Sequence, residues 1–141
     1  MSFIDSIKTC LIKKYFSFSG RASRSEFWFF YLFVLIGYIV CLTLMIAISF
    51  NLFWLMGLFI LGMIIPGFAV TARRLHDVNK SGWFQLIPFP AGVLEAIFAS
   101  SSESLEMLFL IIGIGLYFYL LFLYCVDGDK KNNRFGKNIY V

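Results

Sequence analysis

Charge is what this sequence has least of. Asp, Glu, Lys and Arg together make up 14% of 141 residues, and there is a single histidine, His76. Three cysteines, Cys10, Cys41 and Cys125, are an odd number without metal-ligand spacing, which excludes a disulfide framework and a zinc site. No CxxC, HExxH, ordered Ser-His-Asp set or glycine-rich phosphate loop occurs. Asp127-Gly-Asp129 resembles the start of a calcium loop but lacks the ligand run and closing Glu, so it reads as a turn. No metal, no cofactor and no catalytic residue is therefore expected, and the chain reads as not an enzyme. The N-terminal stretch, with Asp5, Lys8, Lys13 and Lys14, also lacks the apolar core of a cleavable signal.

Apolar surface is abundant instead. Hydrophobic residues are 60% of the chain, with 18 Phe, 7 Tyr and 3 Trp, and the mean hydropathy is +0.84. A soluble domain of this length has too little interior to hide so much apolar area, so the solvent for it is lipid. The expected fold is an all-α integral membrane protein, one membrane domain over residues 1–141.

Residues 3–16 space Phe3, Ile4, Ile7, Leu11 and Tyr15 helically, with Asp5, Lys8 and Lys13 between them. This predicts an interfacial amphipathic helix with its lysines toward lipid phosphates. Residues 27–50 carry no charge and, at about 1.5 Å per residue, reach about 36 Å, enough to span a core of roughly 30 Å. Asn51 is a very short connection, and 52–70 returns, loosened near its end by Pro66. Residues 83–99 form a weaker third run, with Pro88, Pro90, Gly92 and Glu95, and a broken or re-entrant helix is the alternative to a clean span there. Residues 107–126 are the fourth run, and 127–141 form a polar tail.

Charge tests this division. With four spans, all 12 Lys and Arg fall on the side shared by the N-terminus, the 71–82 loop and the tail. The other side holds Glu103 and Glu106, with Glu95 near it. Cationic loops resist translocation, so both termini are expected in the cytoplasm. Trp28 and Trp83 sit at span ends on that side, as interfacial anchors do.

The polar residues collect in three pieces: Phe18-Ser-Gly-Arg-Ala-Ser-Arg-Ser-Glu-Phe-Trp28, then Arg73-Arg-Leu-His-Asp77 with Ser81-Gly-Trp83, then Asp127-Gly-Asp129 with Asn133-Arg-Phe-Gly136. In this order they resemble the bacterial inner-membrane proteins of the domain of unknown function DUF805. Phe18, Gly20, Arg21, Arg24, Glu26, Phe27 and Trp28 fit its first motif, and Phe84 stands where a second Trp is usual. The resemblance implies a multi-pass protein of the bacterial inner (cytoplasmic) membrane. It implies no activity.

Arg21, Arg24, Arg73, Arg74 and Arg134 are expected to meet at one membrane face, where guanidinium groups can hold a phosphate bidentately. Glu26, Asp77, Asp127 and Asp129 lie in the same layer and could pair with them, with His76 and Asn133 in a supporting polar network. Three uses of that belt remain open: a structural clamp, a site for anionic headgroups, or a dock for a protein partner. Adjacent helical residues diverge by about 100°, so His76 and Asp77 do not make a catalytic pair. The first reading is a noncatalytic interaction or anionic-headgroup-binding protein, with membrane lipids, a protein partner or a second copy as partners and no nucleic acid. A small transporter or lipid carrier is the alternative, and a membrane-surface enzyme the second alternative.

Overall fold

The structure, a computed structural model, describes residues 1–99 and 102–140. It is helical: α1 (Phe3–Lys8), α2 (Arg24–Ala47), α3 (Phe53–Asp77), α4 (Pro88–Phe98) and α5 (Glu103–Cys125). Single turns of other pitch join them, a π-turn at Thr9–Lys13 and 3-10 turns at Phe50–Leu52 and Gly82–Leu86. Three helices, α2, the Phe50–Asp77 stretch and α5, are long and apolar enough to cross a membrane. Gly82–Phe98 is apolar but shorter, and it is broken between a 3-10 turn and α4 at Pro88, the first residue of that helix. Proline fits there because a first-turn N–H has no helical partner anyway.

Local chemistry sets the helix ends. Ser23 caps α2 by accepting the Glu26 N–H at 3.2 Å, so the helix starts three residues before the apolar run at Phe27. Ser23 and Glu26 have capping-box spacing, yet the Glu26 carboxylate turns inward to Arg73. α3 ends at Asn79, whose φ of 57° is left-handed. Asn79 N–H then donates to His76 O at 3.0 Å and Lys80 N–H to Leu75 O at 2.9 Å, the paired bonds of a Schellman ending.

α2 and α3 form one hairpin and α4 and α5 a second. In the first, Gly37 is required, because a Cβ there would stand 2.3 Å from the Phe59 ring. In the second, Phe98 stacks on Phe109 at 5.7 Å, and a Cβ on Gly113 would lie 3.7 Å from that of Ala91. The buried core sits at one end of the bundle. Cys10, Ala22, Phe27, Phe30 and Val70 form one cluster and Leu75, Leu120 and Leu123 another. Toward the other end, Ile46, Ile48, Phe50, Phe53 and Trp54 are exposed, which is how helices present apolar side chains to lipid. Between the hairpins, an apolar groove of about 780 Å³ runs between α2, α3 and α5.

The N-terminal segment departs from a simple surface helix over 3–16. Helical structure ends at Lys13, and the face buried against the bundle is Ser6, Thr9 and Cys10, while Ile4 and Ile12 are exposed. Small side chains let this helix lie close to its neighbours and leave the larger apolar ones outward. After it the chain descends along α3: Cys10 meets Arg73, Tyr15 meets Gly62 and Gly20 returns to His76. From Gly62 to Arg73 is about 16 Å of helix rise. Pro66 explains the depth. Having no N–H, it leaves the Gly62 carbonyl without its helical partner, and the Tyr15 hydroxyl donates to that oxygen at 2.8 Å.

Tyr15→Phe should therefore leave a carbonyl unsatisfied in apolar surroundings and cost roughly 1–3 kcal/mol. Thermal unfolding in detergent would show it. The same substitution in a Pro66→Ala background, where the helix satisfies its own carbonyl, should cost clearly less. Equal costs in both backgrounds would refute this account.

Candidate functional site

The polar pieces do come together, at the end of the bundle where α2 starts and α3 and α5 finish. Asp77 is the centre. Its carboxylate accepts from Arg21 Nε at 2.8 Å and from Arg74 Nη1 at 2.7 Å, and also from the Tyr140 hydroxyl. All three charged side chains are fully buried. One carboxylate cannot neutralise two guanidinium groups, and backbone carbonyls supply the remaining acceptors. Arg74 reaches Tyr124 O at 3.2 Å and also Val126 O, and Arg24 reaches Cys125 O at 3.2 Å. These carbonyls belong to the last turn of α5 or follow it, where helical oxygens lack partners and the dipole end is negative. The arginines of α2 and α3 are thus the C-terminal caps of α5.

Arg21 does the same for the tail. It donates to Lys131 O at 2.8 Å, Lys137 O at 3.4 Å and Asp129 O. Asp129 N–H returns a bond to Asp77 O at 2.9 Å. Asn133 Nδ2 holds His76 O at 2.9 Å, and Asn133 and Gly136 exchange backbone bonds at 3.1 Å, closing a tight turn. The tail lies so close to the hub that a Cβ on Gly128 would fall 1.9 Å from the Asp77 carboxylate.

A second pair lies alongside. Arg73 is paired with Glu26, both buried, and Cys10 Sγ sits 3.8 Å from Arg73 and 3.9 Å from Glu26. Arg73 Nε is the one buried side-chain polar atom without a partner among the described residues. Burial, then the charge of Glu26, pushes the Cys10 thiol up to about 11. Arg24 pairs with Asp127 at the surface, the two side chains 49% and 69% exposed. A surface pair of this kind contributes little.

Of the residues picked from sequence, Arg21, Arg73 and Arg74, with Glu26 and Asp77, form this interior. The charged ends of these three arginines are buried and turned to acceptors inside the chain, the arrangement of a structural clamp among the three uses left open. Arg24, Asp127, Asp129 and Asn133 flank them. Arg134 stands apart: it lies 4.7 Å over the Phe135 ring and donates to Asn79 O at 3.3 Å. His76 donates from Nδ1 to Gly20 O at 3.1 Å and stacks on Phe135 at 4.0 Å, away from the Asp77 carboxylate. Trp28 and Trp83 are both exposed.

Sequence reasoning missed Tyr140, Gly128, Cys10 and Tyr15. Burial and then the bond to Asp77 push the Tyr140 phenol up to about 12. A raised phenol contributes fully below its ordinary value of about 10 and fades as pH climbs through the folded value, so this latch is closed at neutral pH. No group of three or more potential metal ligands occurs among the described residues.

The arrangement defines a helical membrane protein whose polar end is welded by buried arginines. The chain belongs to the family described as "Protein of unknown function (DUF805)", which matches residues 15–137. It is similar to inner membrane protein YhaI of Escherichia coli (strain K12), 30% identical over 128 residues that cover 91% of this chain and 90% of that protein. It is also similar to inner membrane protein YhaH of the same strain, 32% identical over 134 residues, covering 89% of each. No solved structure matches it.

Asp77→Asn would strand two buried cations, and breaking such a pair typically costs about 3–5 kcal/mol. The expected result is a bundle with a markedly lower melting temperature and a tail cut early by protease. Gly128→Ala should release the tail while leaving the helices intact. For the thiols, a maleimide at pH 8 should modify exposed Cys125 well before Cys10, whose thiolate fraction there is on the order of one in a thousand. Rapid labelling of Cys10 in folded protein would show that its pocket is open.

Proposed function

We propose that this chain is a noncatalytic protein of the bacterial inner membrane that crosses the bilayer four times with both termini in the cytoplasm. Its cytoplasmic face carries a lysine-rich surface for anionic lipid or an acidic partner. The observation that carries this is a division among the cations. Arg21, Arg73 and Arg74 are spent inside the fold, whereas Lys8, Lys13, Lys130, Lys131, Lys137 and Arg134 are exposed. Among the described residues, none of these six has a carboxylate within salt-bridge distance. The arginines hold the platform, and the lysines are what a lipid surface meets.

Four crossings are supported by where the segment ends lie. Gly82 sits against Ala72 near the hub, while Phe98 sits beside Phe109, near the start of α5. A five-residue 3-10 turn and an eleven-residue helix, at about 2.0 and 1.5 Å per residue, reach about 26 Å. That is close to the roughly 30 Å of a hydrocarbon core. The cations lie toward one end and Glu103 and Glu106 at the other, and positive loops stay in the cytoplasm.

Impermeant maleimide tests the topology in a background with Cys41 and Cys125 replaced by Ser. Ser104→Cys should label from the periplasm and Lys131→Cys only in inverted vesicles; labelling of both from one side would end the four-crossing reading. Native mass spectrometry tests the surface. A basic residue near an anionic membrane is worth roughly 1 kcal/mol, so Lys130, Lys131 and Lys137 changed together to Gln should weaken retention of phosphatidylglycerol on the order of 100-fold. Unchanged retention would remove lipid from the proposal, and a retained protein in its place would make the surface a dock.

A further inference from the structure

Many of the motif residues fall into two sets. Arg21, Arg24, Glu26, Arg73, Arg74, Asp77 and Asn133 belong to the ion network. Phe18, His76, Ser81, Gly82, Trp83 and Phe135 have no part in its charge pairing, and all six line one cavity of about 620 Å³. We infer that this cavity is a specific site for an anionic glycerophospholipid of the cytoplasmic leaflet, with an acyl chain inside and the phosphate at Arg134. This rests on the reading of a lipid-facing cytoplasmic surface and gives that surface one defined place.

The cavity has the polarity such a molecule requires. Its inner wall is α3 from Ile64 and Phe68 up to His76, about 18 Å of helix rise, apolar below and polar at the top. Trp83, 77% exposed, and Phe18, 45% exposed, stand at its edge. An amphipathic ring such as that of Trp83 takes that position where lipid meets water. A volume of about 620 Å³ falls within the range of about 300–1,000 Å³ usual for small-molecule sites.

Charge selects the headgroup. Arg21, Arg24, Arg73 and Arg74 each have a carboxylate partner. Arg134 has none among the described residues, and it is held over the ring of Phe135, itself a wall of the cavity. A guanidinium fixed over an aromatic face with open donors is suited to phosphate. His76 adds a second polar contact. Its Nδ1 bonds to Gly20 O at 3.1 Å, and a carbonyl only accepts, so Nδ1 carries the hydrogen. In the neutral ring Nε2 is then an acceptor for a glycerol hydroxyl.

The test uses the full chain in dodecyl maltoside with Trp28 and Trp54 changed to Phe, so that Trp83 alone reports. Phosphatidylglycerol with a brominated acyl chain should quench Trp83 saturably, and phosphatidylcholine brominated alike should bind about tenfold more weakly. Arg134→Gln should erase that preference by about tenfold, the effect of one charge-assisted contact. Phe18→Ala should weaken both lipids. Glu103→Gln, at the opposite end of the bundle, should change neither. Glycerol phosphate should not displace the lipid, which separates a lipid site from a free-phosphate site. Linear, unsaturable quenching, or equal binding of the two lipids, would overturn the inference. If native mass spectrometry still finds phosphatidylglycerol on the protein while Trp83 is unquenched, the cavity fails and the lysine surface survives. If it finds none, the lipid part of the wider reading has failed as well.

Discussion

A buried guanidinium must find acceptors, and this protein is organised around meeting that demand for Arg21, Arg74 and, but for one N–H, Arg73. Removing an arginine from water is costly unless every N–H is matched. Asp77 supplies one carboxylate to two arginines, and the deficit is met by carbonyls that would otherwise be orphaned at the end of α5 and along the tail. The cost of burying charge and the cost of ending a helix in a crowded layer offset each other. This arrangement ties four separated stretches of chain to one point: the Arg21 loop, the end of α3, the end of α5, and the tail as far as Tyr140.

The membrane-embedded part is held differently. Few side chains in α2, α3 and α5 are buried, and the two hairpins stand apart across an apolar groove. Lipid tails are as apolar as the side chains they meet, so helices there gain little from contact alone. Close approach at Gly37 sets the geometry of the first hairpin, and ordinary packing of α4 on α5 that of the second. The polar layer sets the geometry between them. Stability is therefore concentrated at one end of the molecule, and the other end is tethered through it.

Much of this could be read in the sequence, for identifiable reasons. Long uncharged runs announce membrane helices because charge is so unfavourable in hydrocarbon. Pro88 and the short run around it signalled a broken segment. Which arginines turn inward could not be read. Arg73 and Arg74 are neighbours in sequence, yet they serve different acids, Glu26 and Asp77, because adjacent helical positions point to different sides. Arg134 stands in an equally basic stretch and lies over an aromatic ring instead. Tyr15 reads in the sequence only as part of the interfacial helix, since nothing there shows that the carbonyl freed by Pro66 lies within its reach. Tyr140 and Gly128 were invisible because their importance is purely one of distance to Asp77.

The order in which the network's members leave the ribosome bears on how the protein is made. Arg21 emerges early, but the carbonyls of Asp129, Lys131 and Lys137 that receive it come more than a hundred residues later. Arg74 likewise waits for Val126. Until then these cations lack the acceptors that the tail supplies, and water has to solvate them. The tail then supplies the carbonyls that let Arg21 be buried. Folding thus finishes with the tail closing over charges that had, until that moment, been solvated.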